Sequence, residues 1–365
     1  MSEVGPWQFD LEKYIREGEP NRVRRADAWQ TAIGLQAVDG LATSEYLRET
    51  ARKHIEGAIS IDEAQRRVRS YYEAKELRNE VDEQNTKEAD IVSSRIARLL
   101  GEQAFTFSPV QLKSIHRALF EGLLPTAGEF RTFNITKKEW VLKGETVLYA
   151  AANAIEATLD YDFARERAFS YRGLSKEEAA RHMASFISGI WQIHPFAEGN
   201  TRTTAVFCVK YLAALGYVVD NEPFKRDSWY FRNALVRANY EDLPAGIHET
   251  QAYLNMFFDN LLLGGNHELR NRYMHVDWRG DEPATASTDQ VTDQVTDQVT
   301  DQVKALLDAL GEDELSAREI MRRLGLSHRP TFRRNYLNPA LDAGLIERTI
   351  PDKPTSRLQK YRKSL

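Results

Sequence analysis

The feature that most restricts this fold is a helical spacing of apolar residues, which continues with few interruptions from about residue 24 to residue 275. Between Arg25 and Val38, apolar residues recur every three or four positions, which gives a helix one apolar face. Gly40 follows where that helix would end, and Ser60 is a cap residue that would begin a later one. With 42% hydrophobic residues among 365, the chain predicts a mainly α fold with a sizeable core. Helices are expected over residues 25–38, 44–56, 60–72, 150–158, 176–193, 201–215, 228–240 and 248–263, and from residue 108 onward.

Residues 128–148 depart from the helical pattern. They contain β-forming side chains on both sides of Lys143-Gly144, a dipeptide typical of a turn. The segment therefore predicts a short β-hairpin inside a helical protein. Its β-forming residues are Phe133, Ile135, Trp140, Val141, Val147 and Leu148.

The C-terminal region has a different composition. Residues 277–287 are polar and without periodicity, and the tetrapeptide Thr-Asp-Gln-Val then occurs four times over 288–303. The repeat fits a helical spacer or a weak self-association surface, and repeat expansion without function is an equal alternative. From residue 303 the order of helices, turn and basic hairpin predicts a winged helix-turn-helix. This part carries 13 Lys+Arg against 8 Asp+Glu, whereas the rest of the chain has a net charge of −10. An anionic partner is expected for the basic end, and an uneven solvated surface is the alternative.

Cysteine content and hydropathy limit the class of protein further. The only cysteine is Cys208, which excludes an internal disulfide and a cysteine-based zinc site. No apolar run is long enough to cross a bilayer, and the N-terminus lacks the pattern of a secretory signal. A cytoplasmic protein without membrane contact is expected.

The stretch His194-Pro-Phe-Ala-Glu-Gly-Asn-Thr-Arg202 combines groups suited to phosphate chemistry. His194 ends a predicted helix and could act as a base, and Glu198 is an oxygen ligand of the kind that Mg²⁺ prefers together with substrate phosphates. The next helix begins at Gly199-Asn200-Thr201, so its free N–H groups would form an anion site. Arg202 adds a permanent charge with forked donors. These groups within nine residues predict a phosphoryl- or nucleotidyl-transfer site.

This stretch resembles the signature of the Fic (fido) family, His-Pro-Phe-x-Asp/Glu-Gly-Asn-Gly-Arg-x-x-Arg. The resemblance covers residues 105–265 and includes Gly128-Glu-Phe-Arg131, which precedes a segment similar to the family's target-docking flap at 131–148. It implies a Fic-type helical core with a hairpin flap, and a protein adenylyltransferase that moves AMP from ATP to a Ser, Thr or Tyr hydroxyl of a target protein or of itself. The implied domains are an N-terminal helical region with an antitoxin-like module (1–104), the catalytic domain (105–265), a linker (266–302) and the winged helix (303–365).

The resemblance also implies a role for each matching residue. His194 would be the general base, Glu198 would hold Mg²⁺, and Arg202 would bind the outer phosphates. The α-phosphate would lie against the N–H groups from Gly199 to Thr201 and the Asn200 amide. Residues at positions of the family's adenine pocket are Tyr230, Phe231 and Asn239, although core packing is the more natural role for the two aromatics.

Two residues depart from the family pattern. Thr201 stands where the second glycine is usual, and Ala205 replaces the second arginine, which in relatives contacts the γ-phosphate and pairs with an inhibitory glutamate. The stretch Leu35–Asp39 matches the inhibitory helix of relatives, with Asp39 in place of the glutamate. Asp39 could therefore be a weakened inhibitor or part of a purely structural helix.

The basic C-terminus predicts DNA binding through Arg329, Arg333 and Arg334 on the recognition helix, although such modules also bind protein or dimerise. A homodimer is left open. Alternative functions are a Fic enzyme that removes AMP or transfers phosphate, and a DNA-binding regulator whose Fic core senses nucleotide.

Overall fold

The computed structural model describes residues 19–77, 86–217, 219, 221–278, 301–311, 313–324, 332, 336–342, 345–349 and 359–363. Two compact units divide the chain, one up to Trp278 and one from Arg279 onward. The predicted boundaries within the first unit stay predictions. In the described residues, no helix is both long and apolar enough to span a membrane.

Eleven α-helices are described in the first unit, and their bounds follow. They are α1 (Pro20–Gly34), α2 (Glu45–Ile55), α3 (Ile61–Leu77), α4 (Lys87–Gly101), α5 (Pro109–Phe120), α6 (Ile155–Ala168), α7 (Lys176–Ile193), α8 (Asn200–Ala214), α9 (Glu222–Arg226), α10 (Ser228–Ala238) and α11 (Ala252–Leu262). Short 3₁₀ helices lie at Leu35–Asp39, Trp140–Leu142, Ala152–Ala154 and Asn271–Met274. The mainly α fold is confirmed.

Serine caps determine where several helices begin. The Ser44 hydroxyl accepts a hydrogen bond from Leu47 N at 3.1 Å, and Ser108 does the same for Gln111 N at 3.2 Å. Ser175 forms a full capping box with Glu178 at the start of α7. Gly40 ends the first 3₁₀ helix with a left-handed φ of 67°, as its position in the sequence predicts.

Helix α8 lies in the centre of the first unit. Every residue from Asn200 to Leu212 is buried, so the helix is surrounded by its neighbours rather than lying on the surface. It packs against α5, α7 and α4, while α1 packs on α4 and brings the 3₁₀ helix Leu35–Asp39 against α8 and α10. One continuous apolar core joins the N-terminal helices to the rest of this unit.

The predicted hairpin at 128–148 is wrong in its secondary structure. No strand is assigned in this described segment, which consists of extended chain on both sides of the 3₁₀ helix Trp140–Leu142. The two arms meet through Glu139 N, which donates to Glu145 O at 3.0 Å, and through Lys137 N, which donates to the Thr146 hydroxyl at 3.0 Å. Lys143 and Gly144 make the predicted turn, both with positive φ. We refer to residues 131–148 as the flap.

Several helix ends differ from the sequence prediction, and two of the differences lie near the candidate site or its neighbours: the helices predicted over 248–263 and 150–158. The predicted helix over 248–263 begins only at Ala252, because Thr250 N donates to Arg237 O at 3.0 Å and holds the preceding chain in a loop. The predicted helix over 150–158 is a 3₁₀ turn followed by α6, which continues to Ala168.

The described part of the C-terminal unit contains α12 (Asp301–Leu310), β1 (Leu315–Ser316), α13 (Ala317–Arg323), α14 (Asn338–Asp342), β2 (Ile346–Arg348) and β3 (Lys360–Lys363). The strands form an antiparallel sheet in the order β1-β3-β2, with Glu347 opposite Arg362. Its core includes Leu306, Ile320 and Phe332. The predicted recognition residues Arg329, Arg333 and Arg334, and the Thr-Asp-Gln-Val tract up to residue 300, lie outside the described residues.

Candidate active site

The loop between α7 and α8 has the helix–loop–helix form that the sequence predicts. His194 ends α7 in a left-handed conformation with φ 49° and ψ 59°, and Pro195 follows it. Gly199 starts α8 with φ 72°, and a Cβ at this position would overlap the Phe120 ring. Glycine is therefore required here by both its backbone conformation and the space available. The first-turn N–H groups of α8 have no partners within the helix and face this loop.

The His194 imidazole is buried between two aromatic rings. Its centroid lies 4.2 Å from that of Tyr149 and 5.2 Å from that of Trp191, which it meets edge-on. Nδ1 is 3.2 Å from the Trp191 carbonyl oxygen, which can only accept, so Nδ1 carries the proton. Nε2 is buried and has no hydrogen-bond partner among the described residues. The free lone pair of His194 is therefore on Nε2.

Burial is the main reason that the pKa of His194 is lowered well below its usual value. The nearby positive charge of Lys137 lowers it further, the hydrogen bond to Trp191 acts in the opposite direction, and Arg232 and Arg131 add smaller lowering effects. The imidazole is consequently neutral at physiological pH, which is the form that a proton acceptor requires.

The loop after His194 is held by side chains that bond to its backbone. The Asn200 amide accepts from Phe196 N at 2.9 Å and donates to Phe196 O at 2.8 Å. His116 Nε2 donates to Glu198 O at 3.0 Å, while its Nδ1 accepts from Gly128 N at 2.8 Å. The His116 ring also stacks on Phe196, with centroids 3.8 Å apart. Burial lowers the pKa of His116 to about 4, in agreement with a neutral ring.

Arg131 connects the flap to the other end of the loop. Its Nε donates to His194 O at 2.8 Å, and Nη2 donates to Ala150 O at 2.6 Å and to Ile193 O at 3.2 Å. Its backbone N–H donates to Pro195 O at 2.9 Å. One buried arginine thus satisfies the carbonyl groups left unpaired at the C-terminal end of α7.

Carboxylates from the N-terminal helices form ion pairs with Arg202. Its Nε lies 2.7 Å from Asp39 Oδ2, Nη2 donates to Glu88 at 2.7 Å, and Nη1 donates to Gln36 at 3.2 Å. Its guanidinium carbon lies 4.8 Å from the Phe120 ring centroid. Asp39 therefore pairs with the first arginine of the signature, in a chain whose second arginine position is the buried Ala205.

The Glu198 carboxylate faces the flap. Its Oε2 accepts from Lys137 Nζ at 3.1 Å, and the side chain is 63% exposed. Within the described parts of the chain, no group of three or more His, Cys, Asp or Glu residues could form a metal site.

Two protein families match this chain. Residues 106–212 match the Fic/DOC family, and this range includes the entire loop from His194 to Arg202. Residues 301–364 match the C-terminal domain described as "Filamentation induced by cAMP protein Fic-like".

Two curated relatives of the Fic domain have names that state an activity. The chain is 32% identical over 132 residues to "Probable protein adenylyltransferase y4lH" of Sinorhizobium fredii, a match that covers 36% of this chain and 65% of the relative. It is 29% identical over 158 residues to "Protein adenylyltransferase VbhT" of Bartonella schoenbuchensis, covering 38% of this chain and 32% of the relative. The chain thus spans less than two thirds of either relative.

Solved Fic structures also resemble the chain. A Fic family protein from Desulfovibrio desulfuricans is 21% identical, with 99% of this chain and 97% of that one covered and a TM-score of 0.42. The BepC protein of Bartonella tribocorum, solved with bound AMPPNP, is 19% identical over 50% of this chain and 89% of its own, with a TM-score of 0.39.

Of the three residues predicted for an adenine pocket, Tyr230 and Phe231 lie in the packed interior of the first unit, and Asn239 is half-buried. Tyr230 and Phe231 are buried on α10, where Phe231 packs against Phe224 and Phe257. The Asn239 amide donates to the Ser188 hydroxyl at 2.8 Å. These contacts agree with the core-packing alternative for the aromatics, and a nucleotide role for the three residues stays a prediction.

Several residues around the site were missed by sequence reasoning. Glu139 in the flap is buried and accepts from Arg232 Nη2 at 3.0 Å, and the Tyr149 hydroxyl lies 3.3 Å from the same carboxylate. Arg232 Nη1 also donates to Val38 O at 3.1 Å, which connects the flap to the 3₁₀ helix at Leu35–Asp39. Charged residues this deeply buried show no distinctive spacing in the sequence. The sequence indicated Arg131 and His116 only weakly. Arg131 ends the Gly-Glu-Phe-Arg stretch, and His116 interrupts the apolar face of a predicted helix.

Proposed function

We propose that the Fic domain transfers AMP from ATP to a hydroxyl group of a target protein. The observation that carries the proposal is the buried, unpaired Nε2 of His194 at one end of a loop whose other end is the N-terminus of α8 beside Arg202. A proton acceptor and an anion site six to eight residues apart suit attack by a hydroxyl on a phosphate. The names of the two curated relatives support the same reaction.

The reaction assigns a role to each end of the loop. The target hydroxyl oxygen attacks the α-phosphorus, the bond from this phosphorus to the bridging oxygen of the β-phosphate breaks, and pyrophosphate departs. The hydroxyl proton passes to His194 Nε2. N–H groups from Gly199 to Thr201 bind the α-phosphate, and Arg202 stabilises the charge that develops on pyrophosphate. The Asn200 amide, which is bonded to Phe196, acts by holding the loop.

The bound triphosphate would also raise the pKa of His194. Lys137, Arg232 and Arg131 lower the pKa of His194 in the free protein. The negative charge of bound ATP opposes these cations, so the pKa of His194 rises when substrate is present. Nε2 thereby becomes a stronger proton acceptor in the complex that needs one.

Glu198 fits a Mg²⁺ ion that is held jointly with the nucleotide. Its carboxylate is exposed and has one lysine partner, and Mg²⁺ commonly takes one or two carboxylates plus phosphate oxygens. When bound, the ion would neutralise phosphate charge.

The flap is the proposed docking site of the target. Phe133 and Leu148 are 55% and 84% exposed, which is unusual for large apolar side chains. Arg131 fixes the base of the flap to the His194 loop, so a target segment bound along the flap would lie near Nε2.

Asp39 is proposed to restrain the enzyme. Its Oδ2 lies 2.7 Å from Arg202 Nε, and Glu88 forms an ion pair with the same guanidinium. Outer phosphates that bind Arg202 would have to displace both carboxylates. The competing proposal is that the Asp39 contact is purely structural.

Labelled nucleotides provide the main test. Full-length protein is incubated with cell lysate, Mg²⁺ and ATP labelled at the α- or the γ-phosphate, beside His194→Ala and the exposed control His248→Ala. We expect label from α-phosphate only, loss of the signal in His194→Ala, and retention in His248→Ala. Label from the γ-phosphate would indicate phosphate transfer, and release of AMP from a modified target would indicate the reverse reaction. Equal labelling by wild type and His194→Ala would favour a nucleotide sensor.

A second proposed function is DNA binding by the C-terminal unit. It is supported by the net charge of +5 over residues 303–365 and by the helices and three-stranded sheet described there. Full-length protein should bind mixed-sequence duplex DNA with an affinity that falls steeply with salt, and Arg333→Ala with Arg334→Ala should weaken it. Binding that is unaffected by salt or by the double substitution would contradict this proposal. A homodimer and a cytoplasmic location stay predictions.

A further inference from the structure

Thr201 makes a contact that glycine, the usual residue of the family at this position, could not make. Its hydroxyl accepts a hydrogen bond from Trp191 Nε1 at 3.0 Å, and both residues are buried. Trp191 belongs to the last turn of α7 and Thr201 to the first turn of α8. The bond therefore joins the two helices on either side of the His194 loop.

Trp191 contacts His194 in two ways. Its carbonyl oxygen holds the imidazole through Nδ1 at 3.2 Å, and its indole ring meets the imidazole edge-on at 5.2 Å between centroids. Tyr149 also packs on the imidazole, with ring centroids 4.2 Å apart. The direction of Nε2 thus depends on where the indole lies.

The indole has one polar atom, and Thr201 satisfies it. Without the hydroxyl, a buried N–H would lose its partner, and burying an unpaired donor is unfavourable. The ring could regain a partner only by turning or by admitting water, and either change would remove one wall of the imidazole pocket.

We infer that the Thr201 hydroxyl is a positioning group for His194, acting through the Trp191 indole. The inference rests on the proposed AMP transfer. It assigns to Thr201 a side-chain role distinct from the backbone N–H that would bind phosphate, and the two roles can be separated because valine keeps the N–H.

Three variants test this role. Thr201→Val keeps the shape and removes the hydroxyl, Thr201→Ser restores it, and Thr203→Val is a matched control. The Thr203 hydroxyl is buried on the same helix and has no hydrogen-bond partner among the described residues. We expect Thr201→Val to lower kcat about tenfold with KM for ATP changed less than about twofold, because misplacing a catalytic group affects the chemical step. Thr201→Ser should keep a higher kcat than Thr201→Val, and Thr203→Val should stay within about twofold of wild type.

Nitrogen-15 NMR gives a readout that does not require activity. The indole N–H signal of Trp191, assigned with Trp191→Phe, should move upfield in Thr201→Val and stay in place in Thr201→Ser. The pKa of His194, followed through its ring signals, should rise toward its ordinary value in Thr201→Val as the pocket opens. If both signals are unchanged in Thr201→Val, or if valine and serine lower kcat equally, the inference is wrong. If wild type transfers no AMP, the proposed function fails, and the two NMR signals still decide the positioning role.

Discussion

The two ends of the signature loop differ in how they are stabilised. At the His194 end, uncharged groups contact the imidazole itself, namely two aromatic rings and a backbone carbonyl, while the charged Arg131 bonds to the His194 carbonyl oxygen. At the Arg202 end, the contacts are ion pairs, with Asp39 and Glu88 both 2.7 Å from the guanidinium. The carboxylates come from outside residues 106–212, whereas the His194 contacts come from within them.

Under the proposed AMP transfer, this difference means that the base is preformed, whereas the arginine that would bind the outer phosphates is already paired with carboxylates. Nothing charged has to leave His194 Nε2 before a hydroxyl approaches. Outer phosphates, in contrast, must compete with two carboxylates for one arginine. The N-terminal helices therefore act on nucleotide binding more directly than on proton transfer.

Removing the Arg202 side chain should have the largest effect on AMP transfer. Arg202→Ala is expected to lower kcat/KM for ATP by roughly 10²–10³-fold, because it removes a charged donor from the departing pyrophosphate. Steady-state transfer from labelled ATP measures this, with the exposed Arg226→Ala as control. A loss of less than about fivefold would mean that Arg202 only fixes the N-terminal helices.

Acid should lower the free energy of unfolding through His116, whose ring bonds to the backbone of the loop. His116 has a folded pKa of about 4 against 6.5 in the unfolded chain, so below pH 6.5 the unfolded state takes up a proton that the folded state does not. Stability from this group is present above pH 6.5 and is lost as pH falls to about 4, by about 3 kcal/mol. Urea unfolding of wild type and His116→Gln across pH 4–7 measures it. A parallel pH dependence in the two proteins would contradict the assignment of a neutral His116.

Releasing Arg202 from its carboxylates should have a smaller effect. Asp39→Asn is expected to raise transfer about tenfold, and adding Glu88→Gln should raise it further, since coupling energies of this kind are commonly 1–3 kcal/mol. Auto-AMPylation with labelled ATP is the measurement, and Glu45→Gln on the surface is the control. Unchanged activity in both variants would leave Asp39 with a purely structural role.

Local signals in the sequence were sufficient for the centre of the site. The helix over 176–193 has the predicted bounds because Ser175 begins it and Pro195 prevents its continuation. The loop and the start of the next helix follow from Gly199, whose conformation no other residue would adopt easily.

The long-range contacts of the site could not be predicted from the sequence. Glu88 reaches Arg202 across 114 residues, and Arg232 reaches Val38 across 194, with no local pattern to reveal either. The flap was misjudged for a related reason. Val141 and Val147 were expected to lie in the strands of a hairpin, but both are buried against the core, and this packing accounts for their apolar character. The Trp191–Thr201 bond joins a residue of the His194–Arg202 stretch to a tryptophan three positions before that stretch, and neither residue type alone predicts it.

The left-handed backbone of His194 has an energetic consequence of its own. A residue with a β-carbon at φ 49° carries about 1–2 kcal/mol of steric strain, which glycine would relieve. Comparing two inactive variants, His194→Gly should therefore unfold at a higher urea concentration than His194→Ala, by about 1 kcal/mol in free energy, the reverse of the order found within helices. Equal stabilities, or a more stable alanine variant, would show that the turn relaxes freely. The native protein is thus destabilised by backbone strain at His194, because an imidazole is held there in a conformation that glycine adopts without strain.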